Sequence, residues 1–283
     1  MKLARLQAPE GPPFWAVVHP ELAKAQRIGA EFLHWAPLVT AGAEASALDL
    51  DKHHLPLERL RFLPPLEPTA RVMVAGVNYS KHLREFDVAP PTQPFAFLKA
   101  SRALTGAFEE IAYPARTSKL DHEIELVAVV GSRSLDRAKP FESVLGYTVG
   151  NDVSARDLQL EAPKALGMDL LAAKSQDGST PVGPWIVTRN EFPAGPPQLN
   201  MVLRVNDEIR QQASTSQMTW NVGQLLQFID ANTSFGCGDL LFTGSPEGIG
   251  HSTGRYLLPG DLVESTIDGI GTMRNRVGAR RAS

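Results

Sequence analysis

The sequence predicts a mostly β or α+β fold. Three observations carry that reading: many short apolar runs rich in Val, Ile, Leu and Phe, Gly and Pro breaks between them, and few stretches with helical spacing. Repeating βαβ units would need an amphipathic helix after each strand, and the chain does not supply them. There is no internal repeat and no low-complexity segment.

Taken in order, Trp15-Ala16-Val17-Val18 reads as a strand. Residues 20–35 place Leu22, Ala25, Ile28 and Phe32 at helical spacing, which predicts a helix. Leu63-Pro64-Pro65-Leu66-Glu67-Pro68-Thr69 is a proline-punctuated connector. A boundary there gives a small α+β N-terminal domain over 1–66 and a larger domain over 67–283. The first part is too small for a substantial core of its own and is expected to dock on the second. Strands are then expected at 72–77, 95–98, 126–130, 146–150, 199–205, 240–243 and 262–267. Helices are expected after Ser154 and over 222–229, where Val222, Leu225, Leu226 and Ile229 are apolar. The basic tail at 274–281 reads as a solvated terminus.

Bulk properties narrow the function classes. With 283 residues, 43% hydrophobic and 21% charged, the composition is that of an ordinary globular protein. A net charge of −3 gives no case for nucleic acid or an anionic membrane surface. A single cysteine, Cys237, excludes an intramolecular disulfide framework and a cysteine-rich zinc site. Residues 1–9 lack the apolar run of a signal peptide, and no window reaches ~20 uninterrupted apolar residues. A cytoplasmic protein with no membrane span is therefore expected.

The chemistry starts in Leu120-Asp121-His122-Glu123-Ile124-Glu125-Leu126, which runs into a β-branched apolar strand. Side chains at i and i+2 share a strand face, so Glu123 and Glu125 project side by side next to a buried run. Two like charges there repel and resist desolvation, unless a cation sits between them. Their oxygens suit Mg²⁺, Mn²⁺ or Ca²⁺. An exposed sheet edge is the alternative reading. A third carboxylate, Asp152, lies at a strand–helix junction, where it could also serve as an N-cap. His82 and Glu85 share one helical face, and such a pair can hold one imidazole tautomer and take a proton from water; a surface ion pair would look the same. The loop-like residues 87–94 follow. Lys174 follows Leu170 and Leu171 and reads as a lysine entering a buried strand, where it could bind a carboxylate or stabilise an enolate; a snorkelling surface lysine is the plain alternative. Phe242-Thr243-Gly244-Ser245-Pro246-Glu247-Gly248 is a strand feeding a glycine-rich turn without the Gly-Lys-Ser/Thr ending of a nucleotide loop. No Gly-x-Ser-x-Gly elbow is present, so a Ser-His-Asp hydrolase fits poorly.

Together these pieces, in order, resemble the fumarylacetoacetate hydrolase family over roughly residues 71–277. They are Gly76-Val77-Asn78-Tyr79-Ser80-Lys81-His82 with Glu85; Phe97-Leu98-Lys99; Asp121-His122-Glu123-Ile124-Glu125-Leu126; Asn151-Asp152-Val153-Ser154-Ala155-Arg156-Asp157; Lys174 with Asp177 and Val182-Gly183-Pro184-Trp185; Thr243-Gly244-Ser245-Pro246-Glu247-Gly248; and Gly269-Ile270-Gly271-Thr272. The resemblance implies a catalytic domain with a mixed, barrel-like β-sheet roll, usually in a homodimer. It implies Mg²⁺ or Mn²⁺, with Ca²⁺ as a structural substitute, held by Glu123, Glu125 and Asp152. It implies a water-activating dyad of His82 and Glu85, an active-site lysine at Lys174, and substrate contacts from Arg156, Gln159, Ser245 and Tyr79. Ser245 stands where Thr is frequent, His122 where Tyr or Trp is frequent, and Gln176 where an aromatic residue is common. The activity this implies is metal-dependent hydrolysis of a C–C bond in a small 1,3-diketo acid such as an acylpyruvate, releasing pyruvate or a related 2-oxo acid. Alternatives on the same metal–enolate logic are decarboxylation of an oxaloacetate-type acid, and isomerisation or dehydration of a 2-oxo or hydroxydienoic acid. A catalytically silent metal-binding protein is the alternative from another class.

Overall fold

The computed structural model describes residues 1–81, 91–163, 165, 167–193 and 195–282. The chain opens with β1 (Lys2–Gln7), β2 (Phe14–His19), β3 (Lys24–Ile28), α1 (Phe32–Thr40), β4 (Leu50–Pro56) and β5 (Arg61–Leu63). There follow β6 (Val72–Gly76), β7 (Phe95–Lys99), β8 (Leu104–Thr105), β9 (Ile111–Tyr113), β10 (Leu120–Asp121), β11 (Ile124–Val130), β12 (Val144–Asn151) and β13 (Ser154–Ala155). Two short helices, α2 (Arg156–Gln159) and α3 (Leu170–Lys174), lead to β14 (Thr180–Thr188), β15 (Asn200–Val205) and β16 (Glu208–Ser214). Then come α4 (Val222–Asp230), β17 (Leu240–Phe242), α5 (Gly250–Thr253), β18 (Leu262–Ile267) and β19 (Gly271–Arg280). No helix among the described residues is long and apolar enough to cross a membrane.

The large sheet runs β4-β3-β2-β1-β14-β12-β11-β17-β6-β7, with β5 on β1 and β8 on β14. β1 pairs with β14 through Lys2 opposite Val187 and Leu3 opposite Ile186, so the first strands extend the same sheet that carries β6, β11, β12, β14 and β17. A second sheet runs β16-β15-β18-β19-β9, and β10 pairs with β13. Parallel pairs (β6 with β17, β8 with β14, β9 with β19) mix with antiparallel ones. The result is the expected mostly β roll, with the large sheet open at β4 and β7 rather than closed into a barrel.

Strand periodicity sorts the core. Leu126, Ala128 and Val130 of β11 face inward against Met201, Leu203, Val263 and Met273 of the second sheet. Val127 and Val129 face the other way, where Val72, Val74, Leu240 and Phe242 pack on Trp15 and on Phe32, Trp35 and Val39 of α1. Each Val, Leu, Met or Phe among them contributes about 1.5–3 kcal/mol on burial.

Several local expectations are corrected. Residues 20–35 do not form one helix: Ala23 has φ +50° and ends a single 3₁₀ turn, β3 follows, and α1 begins at Phe32. Ala25 and Ile28 both become buried in β3 because the register shifts between Gln26 and Ile28, so a strand irregularity mimics helical spacing. The basic tail is β19, not a solvated terminus: buried Met273, Asn275 and Val277 alternate with exposed Arg274 and Arg276, a period of two. Lys174 ends helix α3, whose N-terminus is capped by Asp169 accepting from Ala172 N at 2.8 Å; it does not enter a strand. The helix expected after Ser154 is present, as a single turn.

Candidate active site

Glu123, immediately before β11, lies on the same face as Glu125, Val127 and Val129 within it. Toward Val129 that face is covered by apolar side chains; at the other end it opens into a cavity of about 390 Å³. Antiparallel β12 brings Gly150 opposite Glu125 and Asn151 opposite Ile124. A Cβ at Gly150 would sit 2.5 Å from the Phe242 ring and 2.6 Å from a Val127 methyl, so only glycine lets the strands close here. Asn151 Oδ1 accepts Glu123 N at 2.8 Å, and Asp152 N donates to Glu123 O at 2.8 Å. Asp152 therefore swings in beside the glutamates instead of capping a helix; the residue preceding α2 is Ala155. Glu123, Glu125 and Asp152 are all buried, and each offers a carboxylate oxygen within 4.8 Å of the others.

Three buried cations surround them. Lys174 Nζ donates to Glu123 Oε2 at 2.6 Å and to Asp152 Oδ2 at 2.7 Å. Lys99 Nζ lies 2.7 Å from Asp152 Oδ1, donates to Thr180 Oγ1 at 2.9 Å and also reaches the Lys174 carbonyl. Arg156 donates Nε to Asp121 Oδ2 at 2.8 Å, Nη1 to Gln159 Oε1 at 3.1 Å and Nη2 to Glu123 Oε1. Burial disfavours both ammonium groups, but they shift in opposite directions. Lys174 faces two carboxylates, which outweigh burial and raise its pKa; Lys99 faces one, and burial prevails and lowers it.

The cluster is one charge short of neutrality. Four carboxylates (Asp121, Glu123, Glu125, Asp152) meet three cations (Lys99, Lys174, Arg156). The deficit falls on Glu125: burial first, then the charges of Asp152 and Glu123, push its pKa well above the ordinary carboxylate value. Among the described residues its Oε2 accepts one hydrogen bond, from Gly244 N at 2.7 Å. An all-oxygen set with excess negative charge in a buried pocket fits a hard divalent cation.

The glycine-rich turn is fastened from the second sheet. Gln211 of β16 donates to Ser245 Oγ and Pro246 O, both at 2.9 Å, while its Oε1 accepts Ile124 N at 3.0 Å and lies 3.3 Å from His122 Nδ1. Gly244 has φ +94°, and a Cβ there would meet Asn78 Cβ at 2.8 Å. Asn78 itself ties the turn after β6 to Trp220 and to the Thr243 carbonyl. Between β6 and Asn78, Val77 takes φ +51° on the cavity wall, an unfavourable conformation for a β-branched residue.

Of the residues singled out from the sequence, Glu123, Glu125, Asp152, Lys174, Arg156, Gln159 and Ser245 line one cavity. Tyr79 is not in the lining; it is fully buried, and its hydroxyl has no hydrogen-bond partner among the described residues. Arg156 is held by Asp121 and Glu123. His122 is buried on Gln211, and Gln176 donates to the Ala172 carbonyl; neither is in the lining. His82 and Glu85 lie outside the described residues. Sequence reasoning assigned no role to Lys99, Asp121, Asn78 or Gln211. Lys99 was within reach, since strand periodicity puts it on the face of Phe95 and Phe97. Gln211 carries no such signal, because it comes from the other sheet.

Comparison with known proteins accords with this geometry. The fumarylacetoacetate (FAA) hydrolase C-terminal domain matches residues 71–278. A 2,4-didehydro-3-deoxy-L-rhamnonate hydrolase of a Sphingomonas species is 35% identical over 248 residues, 85% of each chain. The 5-carboxymethyl-2-hydroxymuconate delta-isomerase of Mycobacterium smegmatis superposes with a TM-score of 0.80 at 31% identity, covering 99% of this chain and 100% of that one. The fumarylpyruvate hydrolase of Pseudomonas aeruginosa, solved in complex with Mn²⁺ and pyruvate, has a TM-score of 0.68 at 31% identity and covers 78% and 92% of the two chains. Hydrolases and an isomerase thus share the fold. The chain belongs to the fumarylacetoacetate hydrolase family.

Proposed function

We propose that this protein is a divalent-metal-dependent hydrolase that cleaves a C–C bond in a small 1,3-diketo acid of the acylpyruvate type. The observation that carries the reading is the convergence of three buried carboxylates, one of them strongly resistant to ionisation without a cation. Glu123, Glu125 and Asp152 would hold Mg²⁺ or Mn²⁺. When bound, that ion supplies Lewis-acid polarisation of the 2-oxo acid oxygens and stabilises negative charge.

The chain's own residues do the rest. His82, oriented by Glu85, removes a proton from water, and the hydroxide attacks the carbonyl distal to the carboxylate end. The bond between that carbonyl carbon and the adjoining CH₂ breaks, its electron pair passing to the CH₂ as the enolate of pyruvate. The distal fragment leaves as a carboxylate, and the enolate takes a proton to give pyruvate. Lys174 adds electrostatic stabilisation of that enolate. Arg156 and Lys99 position the carboxylates, and Ser245, Gln159 and Gln211 fix the polar rim. Homodimerisation is part of the reading; light scattering that gives the mass of one chain at micromolar concentration would remove it.

The test is turnover of acetylpyruvate and of oxaloacetate by chelator-treated protein, with and without Mg²⁺ or Mn²⁺. Metal-dependent formation of pyruvate and acetate from acetylpyruvate is expected, with His82→Ala retaining metal affinity and losing hydrolysis. Consumption of oxaloacetate alone would replace hydrolysis by decarboxylation. A normally hydrolysing His82→Ala enzyme would remove the dyad.

A further inference from the structure

The cavity has a charged floor and an apolar wall, and the chain interleaves them. On β7, Lys99 reaches Asp152 while Phe97 and Phe95 follow on the same strand face, roughly 7 and 13 Å farther along at the usual rise per residue. Leu170 is one helical turn from Lys174 on α3, and Leu160 is one turn from Arg156, each roughly 6 Å along the axis. Met168 and Ile249 complete the lining of this part. Phe95, Leu160 and Met168 are 41%, 64% and 50% exposed, an unusual amount of apolar area to leave open at one cavity.

The cations of the floor are all committed. Arg156 is bonded to Asp121 and Glu123, Lys174 to Glu123 and Asp152, and Lys99 to Asp152. His251, also in the lining, has Nδ1 3.0 Å from the Tyr256 hydroxyl, and burial and then the Arg156 charge hold its pKa below the ordinary value. Among the described residues, the lining offers no uncommitted positive charge to a second carboxylate. A carboxylate placed against Phe95, Phe97 and Leu160 would lose water and meet no uncommitted cation among the described residues of the lining.

Resting on the reading that the floor holds the 2-oxo acid end of the substrate, we infer that the distal substituent is an uncharged hydrocarbon group, aliphatic or aromatic, and not a second carboxylate. Phe95, Phe97, Leu160, Met168, Leu170 and Ile249 are the specificity-determining residues.

Binding, measured by calorimetry on the full chain loaded with Mn²⁺, tests this without depending on which reaction is catalysed. The probes are pyruvate, 2-oxopentanoate and 2-oxoheptanoate against 2-oxoglutarate and 2-oxoadipate. Affinity is expected to rise about three- to fourfold per added CH₂ along the monocarboxylates. 2-Oxoglutarate is expected to bind about tenfold or more weakly than 2-oxopentanoate, since its second charge goes unpaired. Leu160→Lys and Met168→Lys, at exposed positions that the fold tolerates, are expected to reverse the order of that pair. Dicarboxylates binding more tightly than monocarboxylates of equal length, or affinity independent of chain length while pyruvate binds, would overturn the inference and leave the metal–oxo acid reading standing. Unchanged selectivity in both lysine variants would remove these wall residues from the recognition. Mn²⁺ binding with no affinity for any 2-oxo acid would sink the underlying reading and this inference with it.

Discussion

Asp121 and Glu125 are four residues apart, and both are buried beneath the same cavity, yet they sit in opposite kinds of surroundings. Asp121 accepts from His122 N, Gly250 N, His251 N and Arg156 Nε. Burial pushes its pKa up, but Arg156 and these donors outweigh burial and hold it below the ordinary value. Glu125 has one backbone donor, two carboxylate neighbours and a pKa raised well above normal. The first region is finished by the protein alone and serves as structure. The second is left short of positive charge, which fits an added cation. The contrast teaches where to look for a ligand: not at the charge with the most partners, but at the one with the fewest.

The largest effect that could break the comparison is on stability. Asp121→Ala removes one of the two carboxylates that hold Arg156 and leaves three backbone amides without their acceptor, so it is expected to cost about 3–5 kcal/mol in denaturant unfolding. Glu125→Gln is expected to leave the metal-free protein as stable as the parent or more so, because it removes a buried repulsion. Equal losses in the two variants would erase the distinction. Lys99→Met tests the layer between them. Loss of such an outer partner of Asp152 is expected to weaken Mn²⁺ binding about 10–100-fold in a calorimetric titration. Unchanged affinity would make Lys99 a packing residue only.

Acid–base linkage sharpens the same contrast. For Glu125 the folded pKa is raised, so the folded state binds more protons and the metal-free protein loses stability as pH rises from about 4.5 to the raised value. For Asp121 the folded pKa is depressed, so stability is present above 3.8 and is lost as pH falls through the folded value. Urea unfolding of metal-free protein across pH should show both slopes. Glu125→Gln should remove the upper one, and saturating Mn²⁺ should flatten it by keeping the carboxylate ionised.

The smallest effects concern the backbone that presents Glu125's one donor. Gly244→Ala adds a Cβ at φ +94° and 2.8 Å from Asn78 Cβ, and is expected to cost about 1–3 kcal/mol. Val77→Gly, at φ +51°, is expected to change stability by less than about 1 kcal/mol, because strain relief offsets lost packing. A larger loss at Val77 than at Gly244 in thermal melts would show that the wall packing there, not the turn, holds the rim.

Much of this was legible before the structure. Alternation and β-branching marked β6, β11, β12, β15 and β18, and the i, i+2 spacing of Glu123 and Glu125 put two acids on one face. The N-terminal segment misled because a register shift in β3 spaces Ala25 and Ile28 as a helix would. The tail misled because its four arginines dominate residues 274–281 by charge and mask the alternating buried positions that make β19 a strand. Gln211 and Asn78 were invisible in principle: each acts across more than eighty residues of sequence, between elements whose pairing no local pattern specifies. Charge balance was hidden for the same reason, since Lys99, Arg156 and Lys174 lie on three different elements.

Glu123, Glu125 and Asp152 together are arranged to hold a divalent cation. Calorimetric titration of Mn²⁺ into chelator-treated parent and Glu125→Gln, with thermal melts of both, tests this most directly. One site per chain is expected in the parent, with an unfolding stability raised by about 2.7 kcal/mol at a hundredfold excess over Kd. Loss of both is expected in Glu125→Gln, with the metal-free stability kept. A parent that binds no Mn²⁺ or Mg²⁺, or a Glu125→Gln variant that binds either as tightly as the parent, would contradict this assignment.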